Sequence, residues 1–408
     1  MPPALSERTL VFLVGAVQFV NILDFTMVMP MGPDLAAGLG IATSHLGWIG
    51  GAYTAAAAVS GLAGSFFLER FDRRKALGWA MLGLVIGTAL GAAAVDLWSL
   101  IAARIVAGMF GGPATSLAMA IIADVIPPQR RGRAMGSVMA AFSVASVLGV
   151  PAGLELARQG GWRLPFLAVA GLGLVVAALA VWRLPPLRLH MREGVHRRPQ
   201  LLPLLRRREV QLTYLTTTIL FMAGFMLIPN ISAYVQHNLG YPREHLGLLY
   251  LFGGVVSFFT VRGTGRLVDR WGVTRIGTVG TALVIAVQYL AFCTERPWLA
   301  VPVWFTVYFL ANGVRNVPYN TLLTLVPRPN ERAAFLSLQS TFQHMAAAVG
   351  AFLSSMVLTE LPDGRLRHVD HLAMVSMTLS VLAPLLFVLI EARVRSRNAA
   401  SSLAISAQ

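Results

Sequence analysis

The 408-residue chain has a single cysteine, Cys293, a single lysine, Lys75, and only 12% charged residues. One cysteine excludes a disulfide-stapled scaffold. A phosphate-binding loop needs Gly-Lys-Ser/Thr, and Lys75 follows Arg74, so ATP-driven transport through such a loop is excluded as well. Soluble domains carry about a quarter of their residues as Asp, Glu, Lys and Arg. Half that share, with 56% hydrophobic residues and a mean hydropathy of +0.66, excludes a soluble globular chain and a disordered one alike. Acids are scarce: 18 against 33 basic residues leave a net charge of +15. On a soluble protein that excess would point to nucleic acid. The eight histidines show no metal-ligand spacing, and no nucleophile–base motif stands at a membrane boundary, so no metal, cofactor or enzymatic chemistry is expected.

What the chain does have is long apolar runs. A bilayer-crossing helix needs about 20 apolar residues, because lipid gives backbone groups no partner. Twelve such runs occur, near 9–31, 46–68, 76–96, 97–124, 135–157, 164–185, 212–236, 245–262, 276–294, 298–325, 335–360 and 371–392. The first holds Asp24 and leads straight into a second span, so it reads as an uncleaved helix and not as a signal peptide. Short connections make neighbours antiparallel. The exception, 186–211, is rich in Arg and Pro and divides the chain into a bundle at 1–185 and another at 212–408. The expected fold is therefore an all-α polytopic membrane protein of twelve helices in two six-helix bundles.

The arginines then have an address. With the N-terminus and every second connection on one side, 25 of the 33 basic residues share that side, six lie opposite, and Arg104 and Arg315 fall within spans. Such a bias predicts both termini in the cytoplasm, with the basic side against anionic lipid. The excess charge is orientation chemistry, and no nucleic acid is expected as a partner. A basic set of 32 Arg and one Lys suggests a GC-rich bacterial genome, hence the inner membrane.

The halves echo each other. SFFLERFDRRK at 65–75 matches GRLVDRWGVTR at 265–275, placing Glu69 against Asp269 and Arg70 against Arg270 at an offset of 200. IPPQRRGRAMG at 126–136 similarly echoes VPRPNERAAFL at 326–336. Transporters built from duplicated halves hold substrate near the midplane between them.

Gly265, Leu267, Asp269, Arg270, Gly272 and Arg275 follow the pattern G-x-L-x-D-R-x-G-x-x-R. On these residues the chain resembles the major facilitator superfamily. The first-half copy departs at Ser65, Phe67, Glu69 and Asp72. Three further stretches are similar to the drug:proton antiporters of that superfamily. They are Leu23-Asp24-Phe25-Thr26-Met27-Val28 with Pro33, Leu100…Arg104…Gly108, and Gly149-Val150-Pro151-Ala152-Gly153. The resemblance implies a monomeric secondary transporter that exchanges small organic molecules for protons by alternating access. Proton-linked uptake of a metabolite is the alternative, and a membrane enzyme or sensor a remote one.

A charge at the centre of a membrane helix costs roughly 2.5–3.5 kcal/mol, so it needs a partner or a purpose. Asp24 and Arg104 each lie seven residues from the same end of oppositely running helices, at one depth. Asp24 is expected to carry the coupling proton, with Arg104 as the counter-charge governing it; a static ion pair between two helices is the plainer reading. On the tenth helix Asn312, Arg315, Asn316, Tyr319 and Asn320 share a face, and on the eleventh Ser337, Ser340, Thr341 and His344, with Gln339 and Gln343 beside them. These stripes read as a polar cavity wall or as interhelical hydrogen-bond glue. Asn21, Tyr53, Phe225, Asn230, Tyr234 and Gln236 complete the substrate-cavity candidates. Glu69, Asp72, Arg73, Arg74, Asp269, Arg270 and Arg275 are the candidates for a conformational gate of ion pairs on the basic side, or else plain topological anchors.

Overall fold

Where no water reaches the backbone, helices satisfy it internally. The chain obeys this in a computed structural model that describes residues 6–187, 201–294, 300–328 and 331–406. Most of the linker, 188–200, and the side chain of Glu69 lie outside the described residues. The described residues hold twelve long helical segments: α1 Glu7–Val28, α2 Leu46–Phe67, α3 Arg73–Ala92, α4 Leu97–Val125, α5 from Pro128 to Gly160, α6 Arg163–Arg183, α7 from Arg208 to Asn238, α8 Leu246–Trp271, α9 Val273–Phe292, α10 Val301–Leu325, α11 Arg332–Val357 and α12 Val369–Ser406. Ten are apolar enough to cross a membrane by composition alone; α10 and α11 fall short because they carry the polar stripes. The only strands among the described residues are β1 Thr359–Glu360 and β2 Leu366–Arg367, a small hairpin between α11 and α12.

Local chemistry sets the ends and breaks. Asp96 caps α4, accepting from Ser99 N at 2.7 Å in a capping box, and that backbone N–H holds its carboxyl below the usual range. In α5 the π turn Ala145–Gly149 precedes Pro151, whose ring offers no N–H to the ladder. The repeat reaches the backbone. Gly40 and Gly240, 200 residues apart, both take φ 64, and the 3-10 turns Thr43–His45 and Arg243–His245 lead into α2 and α8 at the same offset.

Even crossings put both ends of the chain on one face, the terminal face. On the opposite face the halves are clamped together. Arg243 Nε and Nη2 grip the Asp34 oxygens at 2.8 and 2.7 Å, and Nη2 also reaches Leu154 O at 3.0 Å. Thr43 donates through N and Oγ1 to Glu360 of β1. Beneath them α2 lies so close to α11 that a Cβ on Gly47 would overlap Ala351 O, and Trp48 stacks on Phe352 at 5.2 Å. α8 packs along Ala145–Gly160 of α5, not along its Pro128–Val144 portion. On the terminal face every ion pair between described residues stays within one half, as in Arg73–Asp124 and Arg207–Glu331. The ion-pair clamp between the halves lies at the opposite face, while Leu62, near the terminal end of α2, packs against the second-half core that includes Phe335 and Leu338.

Within a half, helices meet through glycine. Gly87 of α3 lies against the backbone of Ala107 in α4, with no room for a Cβ. Gly87→Val should cost roughly 1–3 kcal/mol through overpacking. A lower thermal midpoint in detergent is the expected reading, and an unchanged one would mean that α3 and α4 are not packed this tightly.

Candidate functional site

Asp24 and Arg104, expected at one depth, touch. Arg104 Nη1 lies 3.0 and 3.1 Å from the two Asp24 oxygens, and Nη2 donates to Asp24 O at 3.2 Å. Neither is open to solvent: side-chain exposures are 0% and 1%. Thr88 of α3 supplies another hydroxyl, 2.8 Å from Asp24 Oδ1. The Arg104 guanidinium stands 4.5 Å over the ring of Tyr53, whose hydroxyl donates to Asn21 Oδ1 at 2.9 Å. Asn21 in turn donates to Gly111 O at 2.9 Å and Thr115 Oγ1 at 2.5 Å. Four helices, α1 to α4, therefore meet in one buried polar network with no net charge. Neutralisation lets two ions sit where either alone is costly.

From Tyr53 an aromatic strip crosses into the second half. Tyr53 stacks on Phe25 at 5.2 Å, Phe25 on Phe225 at 6.0 Å, Phe225 on Phe221 at 6.5 Å, and Phe221 meets Tyr319 at 6.3 Å. Phe25, Phe221 and Phe225 are half-buried, so part of each ring faces the space between the halves. Past the strip a second network joins α7, α10 and α11: Thr217 Oγ1 lies 2.9 Å from both the Tyr319 hydroxyl and Gln339 Oε1, and Gln339 Nε2 donates to Tyr319.

The family model for the Major Facilitator Superfamily matches residues 14–351. The chain belongs to the major facilitator superfamily. It is 26% identical to a chloramphenicol resistance protein of Streptomyces lividans over 343 residues, 81% of this chain and 83% of that one. Over 365 residues it is 26% identical to the multidrug resistance protein MdtG of Citrobacter koseri, 83% and 86% of the two chains. The fold matches the crystal structure of a D-xylose–proton symporter with a TM-score of 0.75 at 18% identity, covering 92% of this chain and 96% of that one. This is a multi-pass membrane transporter, not an enzyme, and its work is secondary transport of a small molecule.

The other site candidates of this transporter divide. Arg315 is buried, and among the described residues its hydrogen bond runs from Nη2 to Asn312 Oδ1 at 2.8 Å; Asn316 beside it is exposed. Gln343 and His344 are half-buried, with His344 Nδ1 3.0 Å from Ser340 O. Asn230 donates to Ser354 Oγ at 3.0 Å beside Gly47 of α2, and its Oδ1 finds no hydrogen-bond partner among the described residues. Tyr234 donates to Ala291 O at 2.7 Å, within the second half.

The gate candidates need correcting in their partners. Arg73 pairs with Asp124 at 3.1 Å, not with a loop acid. Asp72 caps Arg74 N at 3.0 Å and holds Leu187 N at 3.2 Å, while Arg74 reaches Leu184 O at 3.2 Å. Asp269, Arg270 and Arg275 are exposed and make no ion pair among the described residues. The ion pair that does cross between halves, Asp34–Arg243, lies on the opposite face and was missed. Its signal was available, since Arg243 is one of only six basic residues expected on that side. Thr88, Thr115 and Thr217 carry no comparable signal, because buried threonines commonly bond only their own helix.

Asp24→Ala would strand Arg104 in a buried site and should cost about 3–5 kcal/mol, with part regained by adding Arg104→Leu. Tyr53→Phe removes one hydrogen bond and should cost about 1 kcal/mol. Thermal midpoints of the purified variants check both, and an Asp24→Ala midpoint no lower than that of Tyr53→Phe contradicts the ranking.

Proposed function

We propose that this transporter exports small organic molecules, drugs or metabolites, in exchange for protons, by alternating access between halves spanning 1–185 and 212–408. The carrying observation is the sealed Asp24–Arg104 pair at one end of an aromatic strip shared by both halves. Asp24 is the proton carrier, and Arg104 its counter-charge. When the carboxylate takes a proton, Arg104 keeps two contacts that do not depend on that charge, the Asp24 carbonyl at 3.2 Å and the Tyr53 ring at 4.5 Å. Protonation therefore loosens α1 from α4 and leaves the guanidinium held by neutral groups alone, a cost that repacking of the helices relieves. Phe25 and Phe225 stack across the boundary, so rocking the halves separates the surfaces that an apolar substrate would cover.

Direction follows from orientation. The arginine bias supports a cytoplasmic terminal face in a bacterial inner membrane, with anionic lipid against its basic loops. The terminal face is then the loading side of a monomeric exporter. The clamp formed by Asp34–Arg243 and Thr43–Glu360 is its closed outer gate, and the free Asp269, Arg270 and Arg275 are held for the inner closure of the other state. Relatives named for chloramphenicol and multidrug resistance support efflux.

In inside-out vesicles with an imposed pH gradient, screened with dyes, antibiotics and sugars, wild-type protein should accumulate substrate. Asp24→Asn should lose the gradient-driven component and keep part of the downhill exchange. Gradient-driven accumulation surviving in Asp24→Asn refutes the coupling role, and accumulation only under the reversed gradient converts the exporter into a symporter. The clamp has its own check. In a Cys293→Ser background, a Ser355→Cys reporter behind the clamp should react faster with an impermeant maleimide from outside once Arg243→Ala is added. An unchanged rate means the clamp does not hold the gate.

A further inference from the structure

The two halves share a frame but not a charge balance. In the first, Arg104 is neutralised by Asp24. In the second, Arg315 is 4% exposed, and among the described residues no carboxylate lies within ion-pair distance. Among the described residues Nη2 reaches only the neutral Asn312, and the buried Nε, like that of Arg104, has no hydrogen-bond partner. Every described acid of residues 212–408 lies in a loop or toward a helix end except Glu391 of α12, which is taken up by Thr274 and Arg395. A bare guanidinium in a membrane interior calls for an anion from elsewhere.

The missing acid has an identifiable place. The repeat offset of 200, kept by Gly40 and Gly240, sets Gly224 of α7 where Asp24 stands in α1, with Trp304 in the place of Arg104 and Arg315 in that of Thr115. The level agrees. Thr217 of α7 touches Tyr319 of α10, and seven residues onward along each of these antiparallel helices brings Gly224 level with Asn312, the residue that Arg315 reaches. Gly224 leaves room as well, since a Cβ there would meet only Ile228 Cδ1, at 3.6 Å. Next to this gap run the half-buried rings of Phe221 and Phe225, and Asn316 is exposed on the face beside Arg315. A polar side chain exposed in a membrane span faces water, which gives a solute a way in.

We propose that Arg315 receives the carboxylate of the transported molecule in the position vacated by an acid at Gly224, so that the preferred substrates are aromatic organic monoanions. Rings lie along the Phe221–Phe225 strip, and the carboxylate takes the open Nε and competes with Asn312 for Nη2. The assignment rests on the central site proposed above and names its substrate class. It does not depend on proton coupling or on the direction of transport.

The test uses three probes of one shape on the purified full-length protein: 2-naphthoate, 2-naphthamide and 2-naphthylmethylamine, with affinities read from thermal-shift titrations. The wild type should bind the acid tenfold or more tightly than the amide, about what a charged hydrogen bond is worth. Arg315→Gln should remove that preference while leaving amide binding, Arg315→Lys should keep part of it, and Gly224→Asp should abolish it by supplying the anion internally. An acid that binds wild type no better than the amide, or not at all, overturns the proposal. So does an acid preference that survives Arg315→Gln. Asp24→Asn separates the two readings, because it should retain naphthoate binding whether or not gradient-driven transport is lost.

Discussion

Hydrocarbon does not solvate an ion, and the interior of this transporter is arranged around that fact. Arg104 occupies the membrane interior with Asp24 3.0 Å away and the Tyr53 ring beneath its guanidinium, while Thr88 donates to the Asp24 carboxylate. The pair ties α1 to α4 and, through Thr88 and Tyr53, to α3 and α2. A neutral pair of this kind adds little net stability. Its value lies in the cost of disturbing it, since changing the charge on one partner immediately exposes the other. That property makes a buried ion pair a natural trigger where a proton has to be converted into motion.

The second half shows what the same frame does without the pair. Turns, glycines and helix order repeat at an offset of 200, yet Gly224 and Trp304 stand in the places of Asp24 and Arg104, and the lone cation Arg315 is met by the amide of Asn312. Duplication supplied two equivalent scaffolds, and substitution at a few interior positions made their chemistry unequal. In our reading one half handles the proton and the other the substrate's charge, with the Phe25–Phe225 stack as the seam between them.

The seam also governs how the molecule opens. On the opposite face small residues and one forked arginine hold α2 to α11 and α5 to α8, so the two halves are close-packed there. On the terminal face the loops carry like charges, and the ion pairs between described residues stay within each half. In our reading, the packed clamp on one face and the basic loops on the other mark one of two alternative packings of the same halves. Interfaces of this kind switch between discrete states instead of deforming smoothly.

Much of this was legible in the amino-acid sequence. Helix number, the division into halves, the repeat and the depth of Asp24 and Arg104 follow from hydropathy and spacing, because lipid permits few structures and penalises every buried charge. The polar stripe of α10 was also visible, but not that Arg315 and Tyr319 turn inward while Asn316 faces open space. Nor did spacing reveal that Tyr234 bonds within its own half, that Arg73 chooses Asp124, or that Asp34 meets Arg243 across the boundary. The sequence by itself determined what must cross the membrane and which residues needed a partner there. Which partner each one finds was decided by the tertiary structure, because it depends on how helices far apart in the chain are rotated and leaned against one another.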